Sequence, residues 1–252
     1  MSGNDDRGDR GDRGDAGGEQ RLGGFPLVRE ATAEALAERL AGDVAARLEQ
    51  ALGRRGRASL VVSGGGTPKP FFRHLSAAAI DWSGVVVTLA DERWVAPGHP
   101  SSNETLVRET LLEGAAAAAR LVGLYARTGT PEQGLDLIAE HLGEVPRPFD
   151  VVVLGMGGDG HTASLFPDAP ELERGMDERE RPVVAMHPPS VDEARVTLTR
   201  AALVDSEARF LHLVGEDKRH VLERALADEP RLAPIARVLD ERPEGVAIYW
   251  SP

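Results

Sequence analysis

The segment Phe149–Pro167, FDVVVLGMGGDGHTASLFP, holds the pattern around which the rest of the chain is organised. Residues 151–154 form a short, valine-rich apolar run, which is typical of a strand buried on both faces in a parallel sheet. A glycine-rich turn follows, and its polar side chains are Asp159 and His161. Because open α/β sheets bind ligands at the carboxyl edge of their strands, the segment predicts a functional site at Asp159 and His161.

The glycines of this turn also match the spacing G-x-G-x-x-G of dinucleotide-binding sites. That motif requires a long helix after the third glycine, so that the helix N-terminus faces the pyrophosphate. Pro167 follows Gly160 after seven residues, which leaves no room for such a helix. We therefore interpret the glycine spacing as fortuitous. Taken alone, Asp159 and His161 are also compatible with an ordinary turn and a surface histidine.

The composition and charge restrict the partners of this chain. The 252 residues are enough for a sizeable core, and the formal net charge is −12. Nucleic acids and anionic membranes both demand a clustered basic face, so we expect neither as a partner. An anionic small molecule stays compatible where a few arginines or lysines converge. No apolar run is long enough to cross a bilayer and no signal sequence is present, so we expect a cytoplasmic protein.

Several classes of catalytic site are excluded by missing motifs. The chain contains no cysteine, which excludes disulfides, thiolate catalysis and cysteine-based metal sites. No zinc-binding histidine pair and no Walker A lysine occur, and Ser63 lacks the preceding glycine of a nucleophile elbow. The sequence therefore predicts a site without metal or cofactor that uses His, Asp and Arg side chains.

The chain divides into a tail and a domain. Residues 1–21 are low in complexity and nearly free of apolar side chains, so we expect them to be disordered. Residues 22–252 contain no linker, and we expect them to form a single α/β catalytic domain. Strand and helix patterns alternate there, which predicts one mostly parallel sheet flanked by helices. The strands of this sheet are predicted at 60–62, 85–89, 151–154, 183–186, 196–199, 210–214 and 246–250.

The helices are predicted from leucine periodicity and from capping residues. Leucines and a valine four residues apart indicate a helix over 31–52, which Gly53 and Gly56 end. Ser101 and Glu104 form a predicted capping box that opens a helix ending near residue 112. Two further helices are predicted at 131–142 and at 216–227. Thr130 precedes the first of them, with Gln133 as its capping partner.

Two of the predicted strands end in loops that suit ligand binding. The segment Ser63–Pro68, SGGGTP, offers backbone N–H groups and the Thr67 hydroxyl to a phosphate. A plain flexible turn explains the same residues equally well. Asp91, Glu92 and Arg93 directly follow another strand, where α/β sheets bind ligands, although solvated loop charges are the commoner explanation.

Four segments, taken in order, resemble the glucosamine-6-phosphate isomerase/6-phosphogluconolactonase family, and its lactonases in particular. They cover nearly the whole of 22–252, and the third segment is the most specific. The resemblance implies the fold of the glucosamine-6-phosphate deaminases and, without a cofactor, hydrolysis of 6-phospho-D-glucono-1,5-lactone to 6-phosphogluconate in the oxidative pentose phosphate pathway. The segments are SGGGTP at 63–68, DERWVAPGHPSSN at 91–103, GMGGDGHTASLFP at 155–167, and ARVTLTRAAL with GEDK within 194–218.

The resemblance also implies roles for individual residues. His161 would act as the general base on water, and Asp159 would orient its ring or fix its tautomer. Backbone N–H groups of the glycine turn would stabilise the oxyanion. A local positive cluster would then admit an anionic substrate into a protein of negative net charge. The implied substrate- and phosphate-binding residues are Gly64, Gly65, Gly66, Thr67, Asp91, Arg93, Asn103, Arg195 and Lys218.

Two positions distinguish the lactonases from the deaminases of this family. Deaminases carry a glutamate of their proton relay five residues after the histidine, where this chain has Phe166. They also usually carry an aromatic residue where this chain has Arg93. Both differences favour the lactonase. The alternatives are a deaminase-type isomerase and a non-catalytic sugar-phosphate sensor.

One position departs from the family's pattern. The first loop commonly contains a second serine where this chain has Gly66, so one hydroxyl donor to the phosphate is missing. We expect at most weaker substrate binding from this difference and no loss of activity. The sequence leaves the oligomeric state open, with a monomer favoured.

Overall fold

The structure is a computed structural model that describes residues 20–228, 232–240 and 242–252. Residues 1–19, most of the predicted disordered tail, lie outside the described residues, and Arg21 already belongs to the first strand. Among the helices in the described ranges, none combines the length and the apolar character that crossing a membrane requires.

Most strands belong to one large sheet, whose members are β1 (Arg21–Leu22), β2 (Phe25–Arg29), β3 (Ala58–Val62), β4 (Val85–Leu89), β6 (Arg120–Val122), β7 (Phe149–Leu154), β10 (Ser206–Val214) and β11 (Val246–Ser251). Their order is β1-β2-β11-β10-β7-β3-β4-β6. β1 pairs with β2 in the antiparallel sense, and the six other neighbouring pairs are parallel. The predicted α/β fold with a mostly parallel sheet is therefore confirmed.

A second, antiparallel sheet contains the strands β5 (Asp91–Arg93), β8 (Val183–Met186) and β9 (Arg195–Leu198), in the order β5-β9-β8. The prediction that placed 183–186 and 196–199 in the parallel sheet was wrong. Both strands are short and buried, so their apolar character alone does not distinguish a parallel from an antiparallel partner. This small sheet matters for the site because it pairs Arg93 with Arg195.

Helices connect and cover the strands. They are α1 (Ala33–Arg55), α2 (Lys69–Ser76), α3 (Asn103–Thr110), α4 (Pro131–Leu142), α5 (Leu172–Asp177), α6 (Arg200–Val204), α7 (Glu216–Ala227) and α8 (Pro234–Asp240). α1 passes through Gly53 and ends at Gly56, which adopts φ 70° and donates its N–H to the carbonyl of Leu52. The predicted end at Gly53 was therefore wrong, because only Gly56 provides the left-handed cap.

The predicted capping box at Ser101 was also wrong. Ser102 is the N-cap residue of α3, and its hydroxyl accepts a hydrogen bond from the Thr105 N–H at 3.2 Å. The carboxylate of Glu92, from β5, accepts hydrogen bonds from the N–H groups of Asn103 and Glu104. Glu92 therefore caps the first turn of α3 in place of a glutamate within the helix. The bounds of α4 match the prediction, but the Thr130 side chain makes no capping hydrogen bond.

The central strand β7 is buried along its whole length, as its valine-rich sequence predicts. Near its amino end it carries a buried carboxylate, Asp150, which is 2% exposed. Asp150 Oδ2 accepts hydrogen bonds from the Arg55 guanidinium at 2.5 Å and from the Ser59 N–H at 2.8 Å. This pairing links α1, β3 and β7 at the edge of the sheet where the parallel strands begin, opposite their carboxyl ends.

Replacing Asp150 by Ala should lower the free energy of unfolding by about 2 kcal/mol, because it leaves the buried Ser59 N–H and the Arg55 guanidinium without their acceptor. Urea unfolding measures this difference. Glu207→Ala is the matched control, since the exposed pair of Glu207 with Arg54 should contribute less than about 1 kcal/mol. Equal losses in the two variants would contradict the structural importance of Asp150.

Candidate functional site

The carboxyl ends of β3, β7 and β10 meet at one edge of the large sheet and surround a cavity of about 380 Å³. The three strands are neighbours and run parallel, so the loops that follow them converge there. Two of the predicted site residues, Gly66 and Asp159, stand outside the cavity wall. The predicted residues that line the cavity are Gly64, Gly65, Thr67, Asp91, Arg93, Asn103, His161, Arg195 and Lys218.

Asp159 and His161 form a close pair on the glycine turn after β7. His161 Nδ1 lies 2.6 Å from Asp159 Oδ1, and the His161 backbone N–H donates to the same oxygen at 3.1 Å. A carboxylate only accepts hydrogen bonds, so Nδ1 carries a proton in this contact, and in the neutral form of the ring Nε2 is an acceptor. A Cβ at Gly157 would overlap both side chains, which explains the glycine at that position.

The other side of His161 is covered by an aromatic ring. Phe166 stacks on the imidazole with ring centroids 4.0 Å apart and planes inclined by 26°. In the sequence between His161 and Phe166, Ala163 adopts φ 48°, a left-handed conformation that costs an alanine about 1 kcal/mol or more. Ser164 holds this segment in place, because its hydroxyl donates to Asp91 Oδ2 at 2.6 Å. Sequence reasoning missed Ser164.

Two arginines from the small sheet face each other in the cavity wall. Arg93 and Arg195 are cross-strand partners in β5 and β9. Arg195 is 7% exposed, and burial together with the neighbouring charge of Arg93 lowers the pKa of its guanidinium. Arg93 donates to the carbonyl of Ser101 at 2.6 Å, while its buried Nε has no partner among the described residues. Two adjacent, poorly solvated cations favour an anion as ligand.

A third cation comes from the first turn of α7. Lys218 Nζ donates to the carbonyl oxygen of Met156, at the start of the glycine turn, at 3.0 Å. Gly215 makes this approach feasible, since it adopts φ 102° between β10 and α7. Lys218 therefore connects the glycine turn with the end of β10.

The first glycine loop approaches the small sheet closely. A Cβ at Gly64 would overlap the side-chain amide of Asn103, which donates to the carbonyl of Asp91 at 2.9 Å. Gly66 is different, because a Cβ there would meet no atom within 4 Å. A serine would therefore fit at Gly66, and the missing hydroxyl reflects no steric conflict in this loop.

Glu92 is a buried carboxylate whose structural role the sequence did not predict. It is 1% exposed and accepts hydrogen bonds from the N–H groups of Arg93, Asn103 and Glu104 and from the Ser102 hydroxyl. Burial raises the pKa of its carboxyl despite these four donors. By binding both Arg93 and Asn103, Glu92 fixes two cavity-lining residues relative to each other.

Two N–H groups of the glycine turn, which was expected to supply the oxyanion donors, already donate hydrogen bonds within the turn. The Gly157 N–H donates to the carbonyl of His161 at 2.8 Å, and the Gly160 N–H donates to the carbonyl of Gly157 at 3.2 Å. Both bonds stabilise the turn itself. These two N–H groups are therefore committed and do not point to an oxyanion.

His212, on β10, also lines the cavity and was missed by sequence reasoning. It is 4% exposed, and burial lowers the pKa of its imidazole to about 4. The ring is therefore neutral at physiological pH. The available signal in the sequence was a lone histidine within the apolar run 210–214, which more often marks a core residue.

The low pKa of His212 makes stability pH-dependent. In the unfolded chain its pKa lies near 6.5, so stability is fully present above pH 6.5 and is lost as the pH falls toward 4. Between pH 7 and pH 5 this should cost about 2 kcal/mol. Urea unfolding at both pH values should show a correspondingly smaller loss in His212→Phe, while the exposed control His141→Phe behaves like the wild type. An unchanged loss in His212→Phe would contradict the assignment.

Comparison with known proteins identifies the family of this chain. The family model described as Glucosamine-6-phosphate isomerases/6-phosphogluconolactonase matches residues 31–250. The chain belongs to this family. The resemblance of the four sequence segments is thereby confirmed, and the matched range includes all the cavity-lining residues named above.

Individual relatives within the family are similar over most of their length. A 6-phosphogluconolactonase from Mesorhizobium japonicum is 48% identical over 218 residues, which cover 86% of this chain and 91% of the relative. The crystal structure of a 6-phosphogluconolactonase from Shewanella baltica has 46% sequence identity and a TM-score of 0.87, covering 90% of this chain and 97% of that one. A monomeric glucosamine-6-phosphate deaminase, 17% identical with a TM-score of 0.71 over 89% of this chain and 96% of that one, shares the fold.

Proposed function

We propose that this chain hydrolyses 6-phospho-D-glucono-1,5-lactone to 6-phosphogluconate. One observation carries the proposal: His161, which lies 2.6 Å from the carboxylate of Asp159, shares a cavity with two arginines and a lysine. A histidine paired with a carboxylate suits proton transfer to and from water, and converging cations suit a phosphate. The lactonase names of the relatives agree with this chemistry.

His161 is proposed as the general base. Because Nδ1 is bound to Asp159, Nε2 accepts a proton from water while the water oxygen attacks the lactone carbonyl carbon. The carbonyl electron pair moves to its oxygen and gives a tetrahedral oxyanion. When the carbonyl re-forms, the bond from C1 to the ring oxygen breaks, and the imidazolium returns its proton to that ring oxygen. One water is consumed, and the product is the open-chain acid.

The 6-phosphate is proposed to bind between the first glycine loop and the cations. Gly64, Gly65 and Thr67 line the cavity beside Arg195 and Lys218. Backbone N–H groups and side-chain cations together satisfy the oxygens of a phosphate. A dianion there would also relieve the repulsion between Arg195 and its neighbour Arg93. This arrangement supports an anionic substrate in a protein of net charge −12.

Within the family, the contacts of Phe166 favour the lactonase over the deaminase. Phe166 stacks directly on His161, at the position where the resemblance places the relay glutamate of the deaminases. A phenyl ring transfers no proton, so ring opening with loss of the amine lacks its relay. The pocket therefore suits a reaction whose protons are all handled by His161.

Replacing His161 by Ala should lower kcat for lactone hydrolysis by about 10²- to 10⁴-fold, because it removes the general base. The assay follows acid release from freshly generated lactone near neutral pH, with the spontaneous rate subtracted. His141→Ala, which removes an exposed histidine of α4, is the control and should retain full activity. A wild type that does not accelerate hydrolysis would contradict the proposed function, and its release of ammonia from glucosamine 6-phosphate would indicate the deaminase instead.

Gly157→Ala should reduce kcat roughly a hundredfold, because the added methyl group must displace the imidazole of His161 and the carboxylate of Asp159. Gly158→Ala is the matched control. A Cβ at Gly158 meets no atom within 4 Å and its backbone is not left-handed, so its kcat should stay within about twofold of the wild type. Equal activity of the two variants would show that the placement of His161 by this turn does not matter.

We also propose that residues 22–252 act as one catalytic domain, as a monomer in the cytoplasm. The single domain is supported by the large sheet, in which β2 from the beginning of the described chain pairs with β11 from its end. Gel filtration with light scattering tests the monomer, for which a mass near 26.9 kDa is expected.

A further inference from the structure

His212 occupies a position in the cavity wall that the proposed mechanism does not use. It lies on β10, between β7 and β11, where its Cα pairs with Tyr249. Its ring meets Phe71 edge-on, with centroids 6.2 Å apart, and shares the cavity wall with Phe72. The imidazole is thus embedded in an aromatic wall at the centre of the sheet.

Both ring nitrogens of His212 lack a hydrogen-bond partner among the described residues. Such a group is rare in a protein interior, because a buried donor or acceptor without a partner is costly. The same wall contains a second buried polar atom without a partner, the hydroxyl of Ser63 at the end of β3. Two unpaired polar groups that line one cavity point to a ligand with hydroxyl groups in it.

The chemistry of His212 selects the kind of ligand group it can bind. The ring is neutral at physiological pH because burial lowers its pKa to about 4. A neutral imidazole offers one N–H donor and one acceptor nitrogen, and it carries no charge to attract a phosphate. A hydroxyl group can accept from the first or donate to the second, so a sugar hydroxyl is the matching group.

We propose that His212 is a specificity-determining residue that binds one of the ring hydroxyl groups of the phosphorylated lactone. The proposal rests on the proposed lactonase function. The phosphate would be held by the cations and the glycine loop, the carbonyl carbon would face His161, and the hydroxyl-bearing face of the ring would rest against His212 and Ser63. His212 contributes to recognition of the substrate and takes no part in proton transfer.

The test compares the parent lactone with its 2-deoxy, 3-deoxy and 4-deoxy analogues, each rate being divided by the spontaneous rate of the same lactone. Wild-type kcat/KM should fall at least about tenfold for one analogue, because a buried imidazole loses its partner. On the parent lactone, His212→Phe should lower kcat/KM by a similar factor. For this variant, removing the hydroxyl group from the substrate should lower kcat/KM by less than about twofold further. His212→Asn keeps a donor and an acceptor, and it should recover part of the loss.

Three results would overturn the proposal. Equal wild-type rates on all four lactones would show that no ring hydroxyl is recognised, whether or not the variants fold. An equal loss by His212→Phe on every lactone, with unchanged thermal stability, would assign His212 to packing or to a bound water. A wild type without any acceleration of the parent lactone would overturn the lactonase function itself. Acceleration of the parent lactone by the wild type separates the first two results from the third.

Discussion

The burial of three adjacent parallel strands, β3, β7 and β10, is the constraint on which the site depends. Apart from the two ends of β10, their side chains are buried, so charged groups are accommodated most easily where the strands begin or end. At the amino ends of the strands lies a structural ion pair, Asp150 with Arg55. At the carboxyl ends the sheet places a glycine loop, a histidine and a lysine around one cavity.

The small antiparallel sheet contributes two arginines to the cavity wall. It brings Arg93 and Arg195 to the same cavity as a cross-strand pair, and burial together with repulsion from Arg93 lowers the pKa of Arg195. Glu92 then ties this sheet to α3 through backbone N–H groups and the Ser102 hydroxyl. A single buried carboxylate thereby fixes the backbone of Arg93 and Asn103, and both residues line the cavity.

The sequence predicted the parts of this protein that follow from local pattern. The valine-rich run before Gly155 and the helix 216–227 stand where expected, and most predicted site residues share one cavity. The rest depends on partners distant in the chain. Nothing near Glu92 indicates that it caps α3, Ser164 gains its role only through Asp91, and His212 resembles a core residue until the cavity beside it is known. The roles of His161 and Asp159 in catalysis remain predictions.

The most direct test of the account compares hydrolysis of 6-phosphogluconolactone with that of unphosphorylated glucono-1,5-lactone. The central claim is that the cations lining the cavity bind the 6-phosphate and thereby place the lactone carbonyl carbon at His161. Because charge-assisted hydrogen bonds contribute about 1.5–3 kcal/mol each, at least two of them should favour the phosphorylated lactone by a hundredfold or more in kcat/KM. Equal kcat/KM for the two lactones would contradict the account, since the cations would then have no part in binding the substrate.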